Sequence, residues 1–222
     1  MKEERKIILN NQIVPYEIQY KNIKNCYLRI EQGKVKISTS RYYSLLEIEN
    51  LIRKNQETIL QQIHNYQPKV IYQDKGYVYL FNQKYNLVVR DLKIKKCVRH
   101  SQDIYIYCSR IQETLDAFLK EQLYDYARKR IQIYMMNDFH LPMPDIDIKK
   151  MKSRWGACYY LKNKVCLSLN LVFLPKDLID YVIIHELCHF IESNHSKRFY
   201  KELEKRLPDY KLKEKRLKEI VI

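Results

Sequence analysis

The sequence predicts an α+β protein, in which an antiparallel, strand-rich N-terminal module precedes a module of helices and a β-hairpin. Apolar and polar residues alternate through much of the first hundred positions, as in half-buried strands. From about residue 111 the apolar residues recur at helical spacing instead. We therefore expect two domains, residues 1–110 and 111–222. No linker is expected between them, because the 222 residues include only three glycines.

Alternating segments separated by polar turns are expected to form the strands of the first module. They are residues 14–20, 26–30, 35–38, 70–72, 77–81, 85–89, 92–98 and 104–108. The turn at Gly33 suits a hairpin, since glycine adopts positive φ without strain. Ser44 and Glu47 match a capping box, and the apolar face that follows predicts one helix from Ser44 to about Asn65.

The second module is expected to open with a helix from about Ile111 to Asp138, whose apolar residues form one stripe. Residues 146–150 and 165–171 read as strands of an antiparallel hairpin that leads into the next helix. The edge of the second of these strands could bind an extended peptide. Between them, Trp155 beside Gly156 either walls a cleft or belongs to the core.

The chemistry is concentrated in the next predicted helix, which carries the H-E-x-x-H motif at residues 185–189. Residues four apart share one helix face, so His185 and His189 can aim their imidazoles at a common point. Zinc favours nitrogen ligands, and hydrolytic zinc sites use three protein ligands and a water. Glu186 lies close enough to reach that water and is the candidate general base. These residues predict a zincin-like metallopeptidase module.

The third metal ligand has several candidates. His195 has the spacing of the third metzincin histidine, but Glu192 replaces the metzincin glycine and no methionine follows Met151 to form a Met-turn. Ser193-Asn194 is expected to break the helix and turn His195 back towards the other two histidines. We favour His195. The alternative ligands are Glu192, Glu202 and Glu204.

Composition indicates the cellular location of the protein but does not identify its binding partners. The net charge of +15 favours either an attraction to nucleic acid or a solvated, lysine-rich surface. The six cysteines form no C-x-x-C pair, and the N-terminal sequence has no apolar region of a signal peptide. No apolar run approaches the roughly 20 residues of a membrane span. We therefore expect free thiols, a cytoplasmic location and no membrane partner.

Four runs of this sequence resemble the YgjP-like metallopeptidase family, which is related to the SprT-like zinc peptidases. They are MKSRWGAC, VCLSLN, DYVIIHELCHFIESNHSKRF and LPDY. The resemblance implies zinc at His185, His189 and His195, with Glu186 as catalytic base. Ala157 departs from the family, which often has serine there.

The leading hypothesis is a zinc metallopeptidase that hydrolyses peptide bonds of a peptide or protein substrate. Arg154, Tyr159 and Tyr160 are the candidates for an additional oxyanion donor. One alternative is a metal-dependent nucleoside triphosphate pyrophosphohydrolase, although no glycine-rich phosphate loop is visible. Another is a nucleic-acid-binding module with a vestigial site.

Overall fold

The computed structural model describes residues 2–92 and 94–220, and it confirms the α+β class. The chain divides into two compact units, one up to Pro68 and one running from Lys69 to Ile220. No helix in the described ranges is both long enough and apolar enough to cross a membrane.

The first unit is a four-stranded sheet with two helices. Its elements are β1 (Lys2–Leu9), β2 (Gln12–Tyr20), β3 (Tyr27–Glu31), β4 (Lys34–Thr39), α1 (Leu45–Lys54) and α2 (Gln56–Asn65). The strand order is β1-β2-β4-β3, in which the central β2 and β4 are parallel and both outer pairs are antiparallel. The expected all-antiparallel pairing is therefore wrong for the central pair.

Local sequence signals explain most of this unit. Gly33 has a φ of +70° in the β3–β4 turn, which confirms the predicted hairpin. The Ser44 side chain accepts the Glu47 amide, and Glu47 accepts the Ser44 amide, so the capping box is confirmed. The single helix expected over residues 44–65 is instead two helices, because the chain turns at Asn55, which ends α1 and begins α2. Sequence reasoning also missed β1.

Within the described residues, the second unit contains two sheets and four α-helices, together with three short π- or 3-10-helical segments. Its elements are β5 (Tyr77–Leu80), β6 (Gln83–Val89), β7 (Cys97–His100), β8 (Asp103–Ile106), α3 (Ile111–Tyr134), β9 (Asp145–Lys149), β10 (Gly156–Tyr159), β11 (Lys164–Ser168), α4 (Lys176–Cys188), α5 (Lys197–Arg206) and α6 (Tyr210–Lys218). The larger sheet has the order β5-β6-β8-β7, with a parallel central pair. The strand expected over residues 70–72 makes only an isolated bridge between Val70 and Val78.

The smaller sheet of the second unit has the order β10-β11-β9. The hairpin expected from residues 146–150 and 165–171 is wrong, because β9 runs parallel to β11 and the antiparallel partner of β11 is β10. Since β11 is paired on both sides, it offers no edge to a peptide.

The core of the second unit explains why the compact units divide at Pro68 and not near residue 110, where the sequence places the boundary. Leu115, Leu119 and Leu123 on α3 belong to the same buried cluster as Ile104 on β8 and Ile183 on α4. The β5–β8 sheet therefore shares its core with the helices that follow it.

Candidate metal centre

Helix α4 is largely buried and carries the H-E-x-x-H motif, whose two histidines are half-buried. The helix begins after Pro175, and Ile179, Ile183 and Leu187 on its buried face have no solvent exposure. His185 lies in the last turn, and His189 is the residue at which the helix ends. Packing of the apolar face fixes the direction in which both imidazoles project.

A polar contact fixes the other side of α4 against α3. The Asp180 carboxylate accepts hydrogen bonds from the Tyr126 hydroxyl at 2.8 Å and from Arg130 Nε at 3.0 Å. Arg130 also forms an ion pair with Asp180 at 2.9 Å. These bonds lie one to two turns before His185 and restrain the helix that carries it.

The structure brings the three predicted histidines together. One ring nitrogen of each of His185, His189 and His195 lies within 4.8 Å of the corresponding atoms of the other two. His185 Nε2 and His195 Nε2 are only 3.0 Å apart. Among the residues that the structure describes, no carboxylate joins this cluster. Glu202, one of the alternative ligands, is instead paired with Arg206 at 2.6 Å.

The turn after α4 places the third histidine. Ser196 accepts the Phe199 amide at the start of α5, which confirms the N-cap expected from the sequence. His195 comes immediately before that cap. The fully buried Phe199 ring packs against all three imidazoles, at centroid distances of 4.9, 4.6 and 4.8 Å. An apolar residue of α5 thus holds the three rings in place.

The donor set suits a metal ion. His189 Nδ1 lies 3.2 Å from the Glu192 carbonyl oxygen, so its N–H donates there and Nε2 keeps a free lone pair. Burial, followed by the neighbouring His189 and His195, lowers the pKa of His185 to about 4, so its imidazole is neutral at pH 7. His185 Nδ1 is buried without a partner in the described ranges, so no hydrogen bond at that nitrogen orients this ring.

Glu186 is a buried carboxylate beside this cluster, with a solvent exposure of 6%. Burial raises its pKa to about 7, while a hydrogen bond from the Cys158 backbone and the charge of Arg154 act in the opposite direction. Gly156 gives this carboxylate its room, because a Cβ added there would lie 2.6 Å from Glu186 Oε1. The sequence predicts a close approach to the backbone at Gly156, and the group that approaches it is the Glu186 side chain.

A cavity of about 600 Å³ opens onto these groups. Its walls come from β10 and the residues before it, from α4, and from Glu214, Leu217 and Lys218 of α6. Of the predicted oxyanion donors, Arg154 and Tyr160 line the cavity, whereas Tyr159 is not among its lining residues. Trp155 both lines the cavity and packs against the core, so both interpretations of this residue hold.

Strand β10 forms an open edge of this cavity. The Trp155 carbonyl accepts the Ser168 amide at 2.8 Å, so the backbone groups of Trp155 face β11. In an antiparallel pair, successive residues point their backbone groups to opposite sides of the strand. The backbone groups of Gly156 and Cys158 therefore face the side of β10 that has no partner strand. The Cys158 amide there bonds Glu186. The sheet edge beside the cavity is therefore that of β10, and not that of residues 165–171, where the sequence places it.

Comparison with known proteins agrees with this geometry. The family model described as "YgjP-like, metallopeptidase domain" matches residues 24–220. The chain belongs to the YgjP-like metallopeptidase family. The resemblance drawn from the four sequence runs is thereby confirmed. None of the curated proteins matches this YgjP-like chain.

Two solved structures are similar to parts of the chain. The metallopeptidase zymogen of Pyrococcus abyssi abylysin shares 24% identity, covering 44% of this chain and 90% of its own, with a TM-score of 0.35. The zymogen of Methanocaldococcus jannaschii jannalysin also shares 24% identity, covering 42% of this chain and 94% of its own, with a TM-score of 0.34.

Two features of the site were not predicted from the sequence. Tyr181 lines the cavity, but in the sequence it is one residue of an apolar run and carries no signal of its own. Helix α6 supplies a cavity wall, although its basic sequence indicates only a solvated face. Cys188, in contrast, is fully buried as predicted, and all six cysteines are free.

Proposed function

We propose that this metallopeptidase is zinc-dependent and zincin-like, with His185, His189 and His195 as zinc ligands and Glu186 as general base. The observation that carries the proposal is the convergence of three imidazole nitrogens within 4.8 Å, beside a buried carboxylate on a cavity wall. Three imidazoles are a donor set that zinc prefers. When bound, zinc would supply the Lewis acidity that activates water and polarises a carbonyl.

Glu186 moves the proton in the proposed reaction. Its carboxylate accepts a proton from the water that attacks the peptide carbonyl carbon, and it returns a proton to the amine nitrogen as the C–N bond breaks. Burial favours the protonated form of this carboxylate by raising its pKa, which helps it take a proton from water. The Cys158 amide, which bonds this carboxylate, holds it in position.

Strand β10 positions the proposed substrate. An extended peptide can add to this edge through the backbone groups of Gly156 and the Cys158 carbonyl, since the Cys158 amide already bonds Glu186. This pairing would lay the peptide across the mouth of the cavity beside Glu186. Backbone pairing is independent of side chains, so peptides and unfolded protein segments are the proposed substrate class.

The cellular setting of the peptidase is a further part of the proposal. Free cysteines support a reducing, cytoplasmic location. The net charge of +15 supports association with nucleic acid or with proteins bound to it. Binding to single-stranded DNA that does not weaken as salt is raised would contradict an electrostatic association.

Glu186→Gln tests the proposed chemistry. The amide cannot accept a proton, so we expect cleavage of casein and of a proteome-derived peptide library to fall below detection, with one zinc per chain retained. Glu192→Gln is the matched control, since only the backbone carbonyl of Glu192 bonds a ligand. It should cleave like wild type. Equal cleavage by Glu186→Gln and wild type would refute the role of Glu186.

A further inference from the structure

Tyr181 is a buried tyrosine on the wall of the catalytic cavity. It lies on α4, four residues before His185, and its ring is 6.0 Å from the His185 ring. Only 5% of the residue is exposed, yet it lines the cavity. It therefore sits on the same helix face as the first metal ligand, one turn further from the end of the helix.

The hydroxyl of Tyr181 has no hydrogen-bond partner within the described ranges. Buried tyrosine hydroxyls usually find one, and Tyr126, on the other side of α4, bonds Asp180 at 2.8 Å. The enclosed polar atoms that lack partners are Thr39 Oγ1, His185 Nδ1 and Arg206 Nε. Because the Tyr181 oxygen is not one of these, it keeps some exposure to solvent, and Tyr181 is a lining residue of the cavity.

The surroundings of Tyr181 keep this hydroxyl a donor. Burial raises its pKa, and the acidic groups of Glu214, Tyr200, Glu186 and Tyr210 raise it further. Glu214 is itself paired with Lys218 at 2.8 Å. The hydroxyl is thus protonated at neutral pH, and it lies within electrostatic range of the proposed base.

We propose that Tyr181 is a catalytic residue whose hydroxyl donates a hydrogen bond to the oxygen of the peptide carbonyl under attack. The inference rests on the proposed peptidase function. Negative charge develops on that oxygen, and a donor fixed in advance by burial stabilises it at no cost in reorganisation. Packing alone requires only the ring, because the hydroxyl bonds no other group within the described ranges.

Tyr181 fits this role better than the donors considered from sequence. Tyr160 is 47% exposed, and Arg154 is also exposed, so neither side chain is held by packing. Tyr181 is surrounded by core residues and cannot swing away from the cavity. A donor of this kind contributes through its fixed position.

Tyr181→Phe is the direct test, since it removes one oxygen and keeps the ring. We expect kcat on casein and on the peptide library to fall about 100-fold, the loss typical of one oxyanion donor. Zinc content should stay at one per chain, and the midpoint of thermal unfolding should stay equal or rise. Tyr210→Phe is the matched control: Tyr210 is also buried, at 6% exposure, but it is not a lining residue of the cavity. Its kcat should stay within about two-fold of wild type.

The outcomes separate this inference from the function on which it rests. A kcat of Tyr181→Phe within two-fold of wild type, while Glu186→Gln is inactive, overturns the role of Tyr181 and leaves the proposed function standing. Loss of zinc or of thermal stability in Tyr181→Phe also overturns it, because the tyrosine would then be structural. A wild-type enzyme that cleaves neither casein nor the library overturns both.

Discussion

The two four-stranded sheets of this chain have matching strand orders, β1-β2-β4-β3 and β5-β6-β8-β7, each with a parallel central pair. The two sheets differ in the helices that pack against them. The first sheet closes its core with Ile48 and Ile52 of α1 and Ile59 of α2. The second shares its core with α3 and, through it, with the helix that carries the H-E-x-x-H motif.

This difference indicates how packing relates to chemistry in each unit. In the first unit, the buried apolar residues form a cluster of their own. In the second, the core reaches Phe199, whose ring touches all three candidate ligands. A packing defect should therefore cost only stability in the first unit, whereas in the second it should also change metal binding.

Phe199→Ala should have the largest effect. Removing a fully buried phenylalanine should lower the free energy of unfolding by about 3–5 kcal/mol. It also releases the three imidazoles, so zinc affinity should fall about 10- to 100-fold. Urea denaturation and zinc competition with a chelating dye measure the two effects.

The comparison is sharpened by Ile37→Ala in the first unit, since Ile37 is likewise fully buried. Its unfolding free energy should fall by about 2–5 kcal/mol, with zinc affinity unchanged. A similar loss of zinc affinity in Ile37→Ala would break the distinction between the two cores.

Gly156→Ala should have the next largest effect, which should be a fall in kcat. The added methyl group would lie within 2.6–2.8 Å of Glu186 side-chain atoms, so the carboxylate must move. A displacement of about 1 Å at a catalytic group can cost about 100-fold in rate. We expect that loss in kcat on casein with zinc content retained, and unimpaired turnover would show that Glu186 tolerates displacement.

Asp180→Asn should have a moderate effect on the stability of the second unit. The amide is a poorer acceptor for Tyr126 and Arg130, and the change should cost about 1–3 kcal/mol in urea denaturation. Because Asp180 does not line the cavity, zinc stoichiometry should be unaffected. A loss of bound zinc here would mean that the α3–α4 contact sets the ligand geometry.

Ser44→Ala should have the smallest effect and should be confined to the first unit. It removes the side-chain half of the α1 capping box, at a cost of about 1 kcal/mol in urea denaturation. Peptidase activity should be unchanged. Reduced turnover in this variant would show that the α1 cap affects catalysis.

The site was more predictable from the sequence than the fold was. His185 and His189 are four apart on a helix, and His195 follows a turn that Ser193-Asn194 favours, so short-range geometry brings them close. The sequence did not identify Tyr181 as a cavity residue, because in an apolar helix the pattern does not indicate which face lines a cavity. Only the tertiary packing of α4 against β10 and α6 supplies that information.

The sequence also did not predict the shared strand order of the two sheets or the boundary between the two units at Pro68, for a related reason. Both sheets read as alternating segments, with no change in composition at Pro68 to separate them. The parallel central pairs depend on where β3 and β7 return in each sheet, which local alternation does not encode. Residues 69–110 join the second unit because α3 covers their sheet, and this is a long-range contact.

The most direct test of a three-histidine zinc centre is the metal content of three purified proteins after dialysis, measured by mass spectrometry. Wild type and Glu192→Ala should each hold one zinc per chain, whereas His195→Ala should hold well under half of that. Full occupancy in His195→Ala together with loss of zinc in Glu192→Ala would contradict the proposed ligand set.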